Sequence, residues 1–349
     1  MNFDHARFLI IRLSSIGDVL HATAVARSLK RSCPTAHLTW LVSPPASELL
    51  RCNPDIDELL IWDRAPFDRA IAGRHFLSAK RALGKARQLL AGHHFDIALD
   101  IQDLFLTGLL ARMSGAPRRI GIHERHDFNQ LFMTERAPDI ADPHKVRRYL
   151  SVLAPLGIPA DESRLVLELP PALDTFAARF WPAHGIDPAQ PLLLVNTRTT
   201  WPDKNWQPEH FAAALQDLPA AVQIVFCGST GDSTYIEAAR QALPRPTYSI
   251  AGETDLLELA ALIRSATLLL TCDTGPLHIA TALGAPTLSL WGPTHPKIYG
   301  PLNGPHRFVL SPHDCTACCK THCRFHTNAC MEAIDPASVA RELQALLTK

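Results

Sequence analysis

Short, continuously apolar runs alternate with segments of helical periodicity along this chain, and the alternation occurs twice. Residues 7–13 form the first apolar run, and residues 19–30 follow it with Leu20, Ala24 and Leu29 at helical spacing. A strand that is apolar throughout is typical of a parallel sheet covered by helices on both faces. We therefore predict an α/β protein made of two doubly wound halves.

Both halves contain further predicted elements of the same kind. Strands are expected at residues 37–42, 58–62, 96–101 and 119–122 in the first half, and at residues 192–196, 222–227, 267–271 and 287–291 in the second. Helices are expected at 46–51, 77–91 and 104–113, then at 208–215, 232–242, 255–264, 276–283 and 336–347. Five prolines between residues 169 and 191 predict a linker. Two such halves would leave a cleft between them, where the carboxyl ends of both sheets meet.

The composition favours a folded protein of the cytoplasm without a nucleic-acid partner. Apolar residues make up 47% of the 349 residues and charged residues 19%, which suits two cores and argues against disorder. No apolar run approaches the roughly 20 residues of a membrane-spanning helix, and the nine cysteines are expected to stay reduced. The formal charge is zero, yet residues 1–160 carry 21 Lys and Arg against 16 Asp and Glu. This excess fits either an anionic partner or a chance distribution.

The loop at 14–18, with sequence Ser-Ser-Ile-Gly-Asp, joins the first predicted strand to the first helix. Gly17 permits a tight turn, and Asp18 stands where the helix begins. Two roles fit Asp18 and compete for its oxygens. It is either an N-cap that accepts hydrogen bonds from helix N–H groups or a general base that removes a proton from an acceptor hydroxyl. The loop lacks the G-x-G-x-x-G pattern of dinucleotide-binding turns, and the chain contains no P-loop.

A second polar loop, at 196–206, follows the first strand of the second half. It reads Asn-Thr-Arg-Thr-Thr-Trp-Pro-Asp-Lys-Asn-Trp. Its hydroxyls and backbone N–H groups, together with Lys204, can hold a diphosphate and stabilise it as a leaving group. The alternative is an ordinary polar loop with a solvated Lys204, on which Trp201 and Trp206 pack.

The predicted strand at 267–271 leads into Cys-Asp-Thr-Gly-Pro-Leu-His at 272–278. Pro276 suits the first position of a helix, whose free N–H groups and positive dipole end would form an anion site. His278 is either a ligand-facing residue or a helix histidine bonded to a backbone carbonyl. The triplet Asp-Thr-Gly also occurs in aspartic proteases, but those enzymes need two facing copies in β-structure, and this chain has one copy in an α/β half.

Five cysteines and three histidines fall between residues 313 and 330. Four thiolates can form a tetrahedral zinc or iron site, and Cys-x-x-Cys is a common first half of one. The later spacings match no standard zinc finger, so reduced cysteines within an irregular loop are the competing interpretation. A metal at this place would be structural, and catalysis need not depend on it. The candidate ligands are Cys315, Cys318, Cys323 and Cys330.

Taken together, these motifs resemble glycosyltransferase family nine, the bacterial ADP-heptose:lipopolysaccharide heptosyltransferases. The similarity lies in FLIIRLSSIGDVLHATAVARSLK (8–30), DKNWQPEHF (203–211) and DTGPLHIATALGAPTLSLWGPTHP (273–296), and in a cysteine-rich stretch that precedes a final helix. These segments span both halves in order. Residues 63–190 contribute compatible secondary structure and little else.

The resemblance implies a GT-B fold, in which two Rossmann-like domains face a cleft. The acceptor would bind the N-terminal domain (1–175), and the nucleotide sugar would bind the C-terminal domain (176–349), which includes the cysteine-rich segment 313–330. The expected reaction inverts the anomeric carbon without a catalytic metal or other cofactor. The expected partners are an ADP-sugar donor and a lipid-linked saccharide acceptor, so the enzyme would be cytoplasmic and peripheral to the inner membrane.

The resemblance also assigns roles to individual residues. Asp18 matches the family's proposed base, and Lys204 would stabilise the departing diphosphate. Trp201 and Pro202 depart from the polar residues expected between the diphosphate contacts, which weakens the assignment of the two threonines there. The diphosphate contacts would be Thr199, Thr200 and Lys204, and the donor loop would contribute Asp273, Thr274, Gly275 and His278.

Two other functions fit the same sequence. One is the same fold transferring a different sugar or glycosylating a protein side chain. The other is a non-catalytic binding module, in which a metal bound by the cysteine region would hold an interaction surface in place. The presence of both Asp18 and Lys204 argues against the module.

Overall fold

The computed structural model describes residues 3–124, 127–315 and 317–348. The chain forms two compact units, Met1–Glu168 and Leu169–Lys349. The domain boundary predicted between residues 175 and 176 therefore falls inside the second unit. Within the described ranges, no helix is long and apolar enough to cross a membrane.

The first unit is built on one sheet whose neighbouring strands are all parallel, in the order β3-β2-β1-β4-β5-β6. The strands are β1 (Arg7–Ile11), β2 (His37–Val42), β3 (Glu58–Ile61), β4 (Ile97–Asp100), β5 (Arg118–Gly121) and β6 (Glu135–Arg136). Phe8 of β1 is in register with Leu38 of β2 and Ile97 of β4. All three side chains are buried because helices cover both faces of the sheet.

The helices of the first unit connect these strands. They are α1 (Ile16–Ser32), α2 (Ala65–Ala72), α3 (Phe76–Ala91), α4 (Phe105–Met113) and α5 (Lys145–Leu150), with 3₁₀ helices at Ala46–Leu50, Asn129–Phe132 and Ser151–Leu156. The helix predicted at 46–51 is thus a short 3₁₀ turn. Helix α2 has no counterpart in the prediction, because residues 65–72 mix apolar and charged side chains and bury Ala70 alone.

The second unit repeats the architecture, with the strand order β12-β11-β10-β7-β8-β9 and parallel pairing throughout. The strands are β7 (Leu192–Asn196), β8 (Gln223–Cys227), β9 (Tyr248–Ser249), β10 (Leu268–Cys272), β11 (Thr287–Trp291) and β12 (His306–Leu310). The helices are α6 (Phe176–Ala183), α7 (Pro208–Leu215), α8 (Ser233–Gln241), α9 (Leu256–Ser265), α10 (Gly275–Leu283), α11 (Pro296–Tyr299), α12 (Ala329–Glu332) and α13 (Pro336–Leu347). Short 3₁₀ helices lie at Pro171–Leu173, Pro202–Lys204 and Thr230–Asp232.

The final helix is fixed at its start and packs against α7. The Asp335 carboxylate accepts hydrogen bonds from the N–H groups of Ala337 and Ser338, each at 3.1 Å, which confirms the predicted cap. The indole of Trp206 is fully buried and donates to the Ile334 carbonyl at 3.3 Å. The end of the chain therefore closes the core of the second unit.

The proline-rich stretch at 169–191 is not a plain linker. It contains α6, whose Trp181 is 1% exposed and donates through Nε1 to Ser265 Oγ at 2.9 Å. Pro182 lies in the last turn of this short helix, where few backbone hydrogen bonds depend on its missing N–H. Burial of Trp181 against α9 therefore stabilises a helix in this segment despite its prolines.

The two units share one connectivity. In each, the first strand pairs with the second and the fourth, so the chain direction across the sheet reverses between β1 and β4 and again between β7 and β10. In open parallel sheets, ligands bind at the carboxyl ends of the strands beside such a reversal. A functional site is therefore expected in the loops that follow these four strands.

Candidate active-site residues in the two units

Asp18 lies in the first turn of α1, beside the carboxyl end of β1. Ser15 occupies the N-cap position, and the Asp18 carboxylate instead accepts from side chains. Its Oδ2 lies 2.7 Å from Arg12 Nη2 and accepts the Ser15 hydroxyl at 3.0 Å. Its Oδ1 accepts the Tyr149 hydroxyl at 2.5 Å. The N-cap interpretation of Asp18 is therefore wrong, whereas its role as a base stays a prediction.

Arg12 holds this cluster in place from the end of β1. Its side chain is 3% exposed, its Nη1 donates to the Ile101 carbonyl at 2.7 Å, and its guanidinium lies 4.9 Å from the centre of the Tyr149 ring. Burial alone would raise the pKa of Asp18, but the charge of Arg12 and the hydrogen bond from Tyr149 hold that pKa well below its usual range. Asp18 is therefore an ionised carboxylate at neutral pH.

Tyr149 stays protonated beside this carboxylate. Burial is the largest reason that its pKa lies well above the ordinary value, and the negative charge of Asp18 raises that pKa further. The phenol can then act as a steady hydrogen-bond donor to Asp18. Tyr149 belongs to α5, which packs against α1, so the carboxylate is held from two helices and one strand.

Another carboxyl group of the first unit, Asp100, ends β4 and is fully buried. Its Oδ1 accepts the N–H groups of Gln102 and Asp103 at 3.1 and 3.3 Å. Its Oδ2 accepts the Thr107 hydroxyl and the Asn129 amide, both at 3.1 Å. Burial raises the pKa of Asp100 to about 6, although each of these hydrogen bonds lowers it. Asp100 therefore organises the loop after β4.

In the second unit, the structure brings Lys204 and Asp273 together. Lys204 Nζ lies 2.6 Å from Asp273 Oδ2, and the two side chains are 13% and 5% exposed. The same Oδ2 accepts the Thr294 hydroxyl at 2.7 Å, and His278 Nε2 lies 3.4 Å from Oδ1. Burial would raise the pKa of Asp273, but His278 and Lys204 hold it well below the usual range. Lys204 is thus a paired cation and not a solvated one.

The loop between β7 and α7 positions Lys204. Its Nζ lies 4.1 Å from the centre of the Trp201 ring and 6.0 Å from that of Tyr299, which are cation–π distances. The Thr199 N–H donates to Asn205 Oδ1 at 2.8 Å, and the Thr199 hydroxyl donates to the Trp201 carbonyl at 2.7 Å. The interpretation of Trp201 as a residue that packs on the lysine therefore holds.

The remaining predicted donor residues differ in their surroundings. Helix α10 begins at Gly275, with Thr274 at its N-cap and Pro276 in the first turn, and the Thr274 side chain makes no capping hydrogen bond. Thr200 is exposed, in contrast to the buried His278. Lys204, Asp273 and His278 form one cluster, and Asp18 belongs to the other unit.

Several residues of these clusters were not predicted. Arg12 could have been suspected, because it is a charge at the end of an apolar run, and Thr294 lies in the family-like segment at 273–296. Tyr149 is 131 residues from Asp18 along the chain, and no local pattern points to it. Its place follows from how α5 packs on α1, which is a property of the folded unit.

The four cysteines predicted as metal ligands line one small cavity of about 30 Å³. Burial raises the pKa of Cys330 to about 11, while backbone N–H groups near Thr327 lower the pKa of Cys323. Across residues 3–124, 127–315 and 317–348, no group of three or more His, Cys, Asp or Glu is placed to hold a metal ion. Zinc or iron at this place stays a prediction. The cavity-lining cysteines are Cys315, Cys318, Cys323 and Cys330.

Two parallel six-stranded units, each with a polar cluster beside its chain reversal, place this chain in the GT-B class of glycosyltransferases. The family model described as glycosyltransferase family 9 (heptosyltransferase) matches residues 83–328. The chain belongs to this family and is a glycosyltransferase. Both the predicted family and the predicted fold class are thereby confirmed.

The chain is similar to named heptosyltransferases, and to one solved structure of the family, over most of its length. It is 36% identical over 309 residues to lipooligosaccharide heptosyltransferase 2 of Haemophilus influenzae, which covers 84% of this chain and 86% of the relative. It is 28% identical over 299 residues to lipopolysaccharide core heptosyltransferase OpsX of the same organism, covering 84% and 81%. The crystal structure of a family 9 glycosyl transferase from Veillonella parvula matches with a TM-score of 0.82 at 25% identity, covering 100% and 99%.

Proposed function

We propose that this protein is an inverting heptosyltransferase of lipopolysaccharide biosynthesis, which moves heptose from ADP-heptose to a saccharide of the lipopolysaccharide core. Membership of family 9 and the names of its relatives support the sugar and the acceptor class. One observation carries the mechanism. An ionised, partly buried carboxylate and a partly buried lysine occupy corresponding positions beside the chain reversals of two sheets with the same strand order.

In this mechanism, Asp18 accepts the proton of the attacking acceptor hydroxyl. The hydroxyl oxygen forms a bond to the anomeric carbon from the face opposite the diphosphate, so the configuration inverts. The low pKa of Asp18 makes it a weak base. Proton transfer must therefore come late, once bond formation has made the hydroxyl acidic. Arg12 and Tyr149 keep the carboxylate oriented during this step.

The leaving group is the diphosphate of ADP. As the bond between the anomeric carbon and the diphosphate oxygen breaks, its electron pair stays on that oxygen. The Lys204 ammonium and the N-terminal end of α10 at Thr274 and Gly275 would stabilise the added negative charge. Thr199 and Thr200 would contact the diphosphate from the loop after β7. Asp273 and His278 would set the position of Lys204 and of the donor loop.

We further propose that the first unit binds the acceptor and that the enzyme works as a peripheral protein at the inner membrane, where lipid-linked core saccharides are assembled. The excess of basic residues in 1–160 suits a phosphorylated acceptor. Catalysis by Asp18 and Lys204 requires no metal, so treatment with a chelator should leave turnover unchanged.

The experiment that tests this function is a transfer assay with ADP-heptose and truncated lipopolysaccharide cores of defined length. The Asp18→Asn variant should lose about 100-fold or more in kcat, the usual contribution of a general base. Its affinity for ADP should equal that of the wild type, because Asp18 lies outside the predicted donor loop.

The matched control is Asp139→Asn, which alters a carboxylate with 81% side-chain exposure in the same unit and should keep wild-type turnover. Thermal unfolding of both variants shows whether the chain is folded, since Asp18→Asn also leaves Arg12 without its counter-charge. Turnover near the wild-type value in a folded Asp18→Asn protein would rule out Asp18 as the base. Absence of heptose transfer by the wild type to every core would reject the proposed function itself.

A further inference from the structure

The turn between α2 and α3 exposes a group of apolar side chains. Every residue from 71 to 78, which we call the hairpin tip, is exposed. Three of these side chains are large and apolar: Ile71 at 48% exposure, Phe76 at 72% and Leu77 at 81%. Phe76 and Leu77 are the two most exposed large apolar side chains in the part of the chain that the structure describes. Apolar groups clustered on a surface in this way usually mark a binding face.

The hairpin tip projects beyond the sheet of the first unit. Trp62 follows β3 at the carboxyl edge, and its Nε1 donates to the Ala82 carbonyl of α3 at 3.2 Å. Phe76 precedes Ala82 by six residues of helix, a rise of about 9 Å. Helix α3 runs from the tip towards the amino edge, because the Asp96 N–H just before β4 donates to the carbonyl of Arg7 at the start of β1. The tip therefore stands clear of the carboxyl edge.

The hairpin is also strongly basic. Between residues 65 and 91, Asp68 is the sole acidic residue in the sequence. Cations that surround protruding apolar side chains complement a surface that is anionic outside and apolar beneath. A bilayer that contains anionic lipids is such a surface. The exposed basic side chains are Arg69, Arg74, Lys80, Arg81, Lys85 and Arg87.

A cavity of about 610 Å³ lies beside the hairpin, between α3 and the residues that follow β3. Its lining includes Trp62, the cations Arg81 and Lys85, and one carboxylate, Asp63. The two cations outnumber the single carboxylate, so the cavity continues the basic character of the hairpin towards the body of the unit.

We propose that the α2–α3 hairpin is the surface by which this protein docks on an anionic lipid bilayer. Ile71, Phe76 and Leu77 enter the boundary between headgroups and acyl chains, and the basic side chains contact lipid phosphates. This inference rests on the proposed function, since a lipid-linked acceptor is presented at a bilayer. It names the part of the protein that makes the contact.

Flotation of the full-length protein with lipid vesicles tests this inference. The wild type should bind vesicles of phosphatidylcholine mixed with phosphatidylglycerol, bind pure phosphatidylcholine at least tenfold more weakly, and dissociate as salt is added. The double variant Phe76→Ser with Leu77→Ser should lose at least tenfold in partitioning to the anionic vesicles. The matched control is Phe308→Ser with Leu310→Ser, which alters two side chains of β12 that are 43% and 42% exposed and should bind as the wild type does.

Three results would overturn the inference. The tip variant and the control variant could bind vesicles equally well, or the wild type could bind neutral and anionic vesicles equally well. The third is that the wild type is a dimer that does not bind vesicles, and that the tip variant is a monomer. Vesicle binding is measured without donor or acceptor, and transfer is measured separately with a deacylated, water-soluble core. The tip variant should retain wild-type turnover on that soluble acceptor. Tip-dependent vesicle binding without any heptose transfer would support the docking surface and reject the proposed function.

Discussion

At the scale of single residues, each unit keeps a carboxylate paired with a cation at the end of a strand, partly buried in the first unit and buried in the second. Asp18 is paired with Arg12 in the first unit, and Asp273 is paired with Lys204 in the second. In both pairs the cation and hydrogen bonds outweigh the effect of burial, so both carboxylates stay ionised. Asp100 has no such cation within hydrogen-bonding distance among its described contacts, and its pKa is raised instead.

The raised pKa of Asp100 predicts a pH dependence of stability. Its folded pKa of about 6 exceeds the unfolded value of about 3.9. The folded state therefore holds a proton that the unfolded chain has released between these pH values. The contribution of Asp100 to stability should fall by about 3 kcal/mol in all as pH rises from below 3 to above 7, and about 2 kcal/mol of this fall lies between pH 4 and 6. Urea unfolding of the wild type and of Asp100→Asn should differ in this slope, because the variant carries no titrating group there.

The Asp139→Asn variant serves as the control for this measurement, since its exposed carboxylate should leave the slope unchanged. The absolute stability of Asp100→Asn carries a separate contribution, because the Asn amide cannot accept all four hydrogen bonds that the carboxylate accepts. Equal slopes in Asp100→Asn and the wild type would contradict the raised pKa of Asp100.

Sequence could single out Asp18 in the first ion pair and both members of the second, but not the arrangement around them. Asp18, Lys204 and Asp273 each follow a predicted strand, where parallel sheets expose functional groups. Sequence did not predict that Lys204 and Asp273 would pair, since they are 69 residues apart. Long-range side-chain pairs depend on the packing of the whole unit, which a local pattern does not encode.

At the scale of elements, α5 contributes to the site because it positions Tyr149 beside Asp18. Tyr149→Phe removes the hydroxyl and keeps the ring under Arg12, so kcat should fall about 10-fold, the effect of losing a hydrogen bond to a charged group. The pKa of Asp18 should rise without this hydrogen-bond donor. In a plot of kcat against pH, the loss of activity on the acidic side (the acid limb) should therefore move to higher pH. ADP affinity should not change, which titration of the variant with ADP will measure.

The control for this variant is Tyr248→Phe, which removes a hydroxyl that donates to the Gly185 carbonyl at 3.1 Å in the second unit. It should keep both kcat and its pH profile. If Tyr149→Phe lowers kcat while the acid limb stays in place, Tyr149 supports the fold and does not position the carboxylate.

The predicted elements were most accurate where strands are buried. Predicted strands at 37–42, 192–196 and 287–291 coincide with β2, β7 and β11, because apolar runs of this length are typical of the centre of a parallel sheet. β6 and β9 have two residues each, too few for a pattern. β12 is an edge strand with mostly exposed side chains, so it lacks the apolar run that reveals the others.

At the scale of the whole molecule, alternation of apolar runs and helices predicted two doubly wound units, and the shared strand order confirms this class of fold. The cleft between the units stays a prediction. The proline content predicted a linker at residues 169–191, but a short helix whose Trp181 is buried occupies much of that stretch.

Donor preference should be visible as stabilisation of the folded protein. A nucleotide at 100 times its dissociation constant adds about 2.7 kcal/mol to the free energy of unfolding. ADP should therefore raise the thermal unfolding midpoint more than equal concentrations of UDP or GDP. Lys204→Met should lose the ADP shift, whereas Lys297→Met, which alters an exposed lysine of α11, should keep it. Protection by UDP or GDP without protection by ADP would contradict an ADP-sugar donor.

The pairing of Lys204 with Asp273 at 2.6 Å has a consequence for how the enzyme would choose among anions. A phosphate group that approaches Lys204 meets a cation whose charge is already balanced, so binding is an exchange of partners. Simple phosphate gains little from such an exchange. A nucleotide sugar brings additional contacts through its base and sugar, and these can make the exchange favourable. The protein would therefore remain able to bind its proposed donor in the presence of competing phosphates.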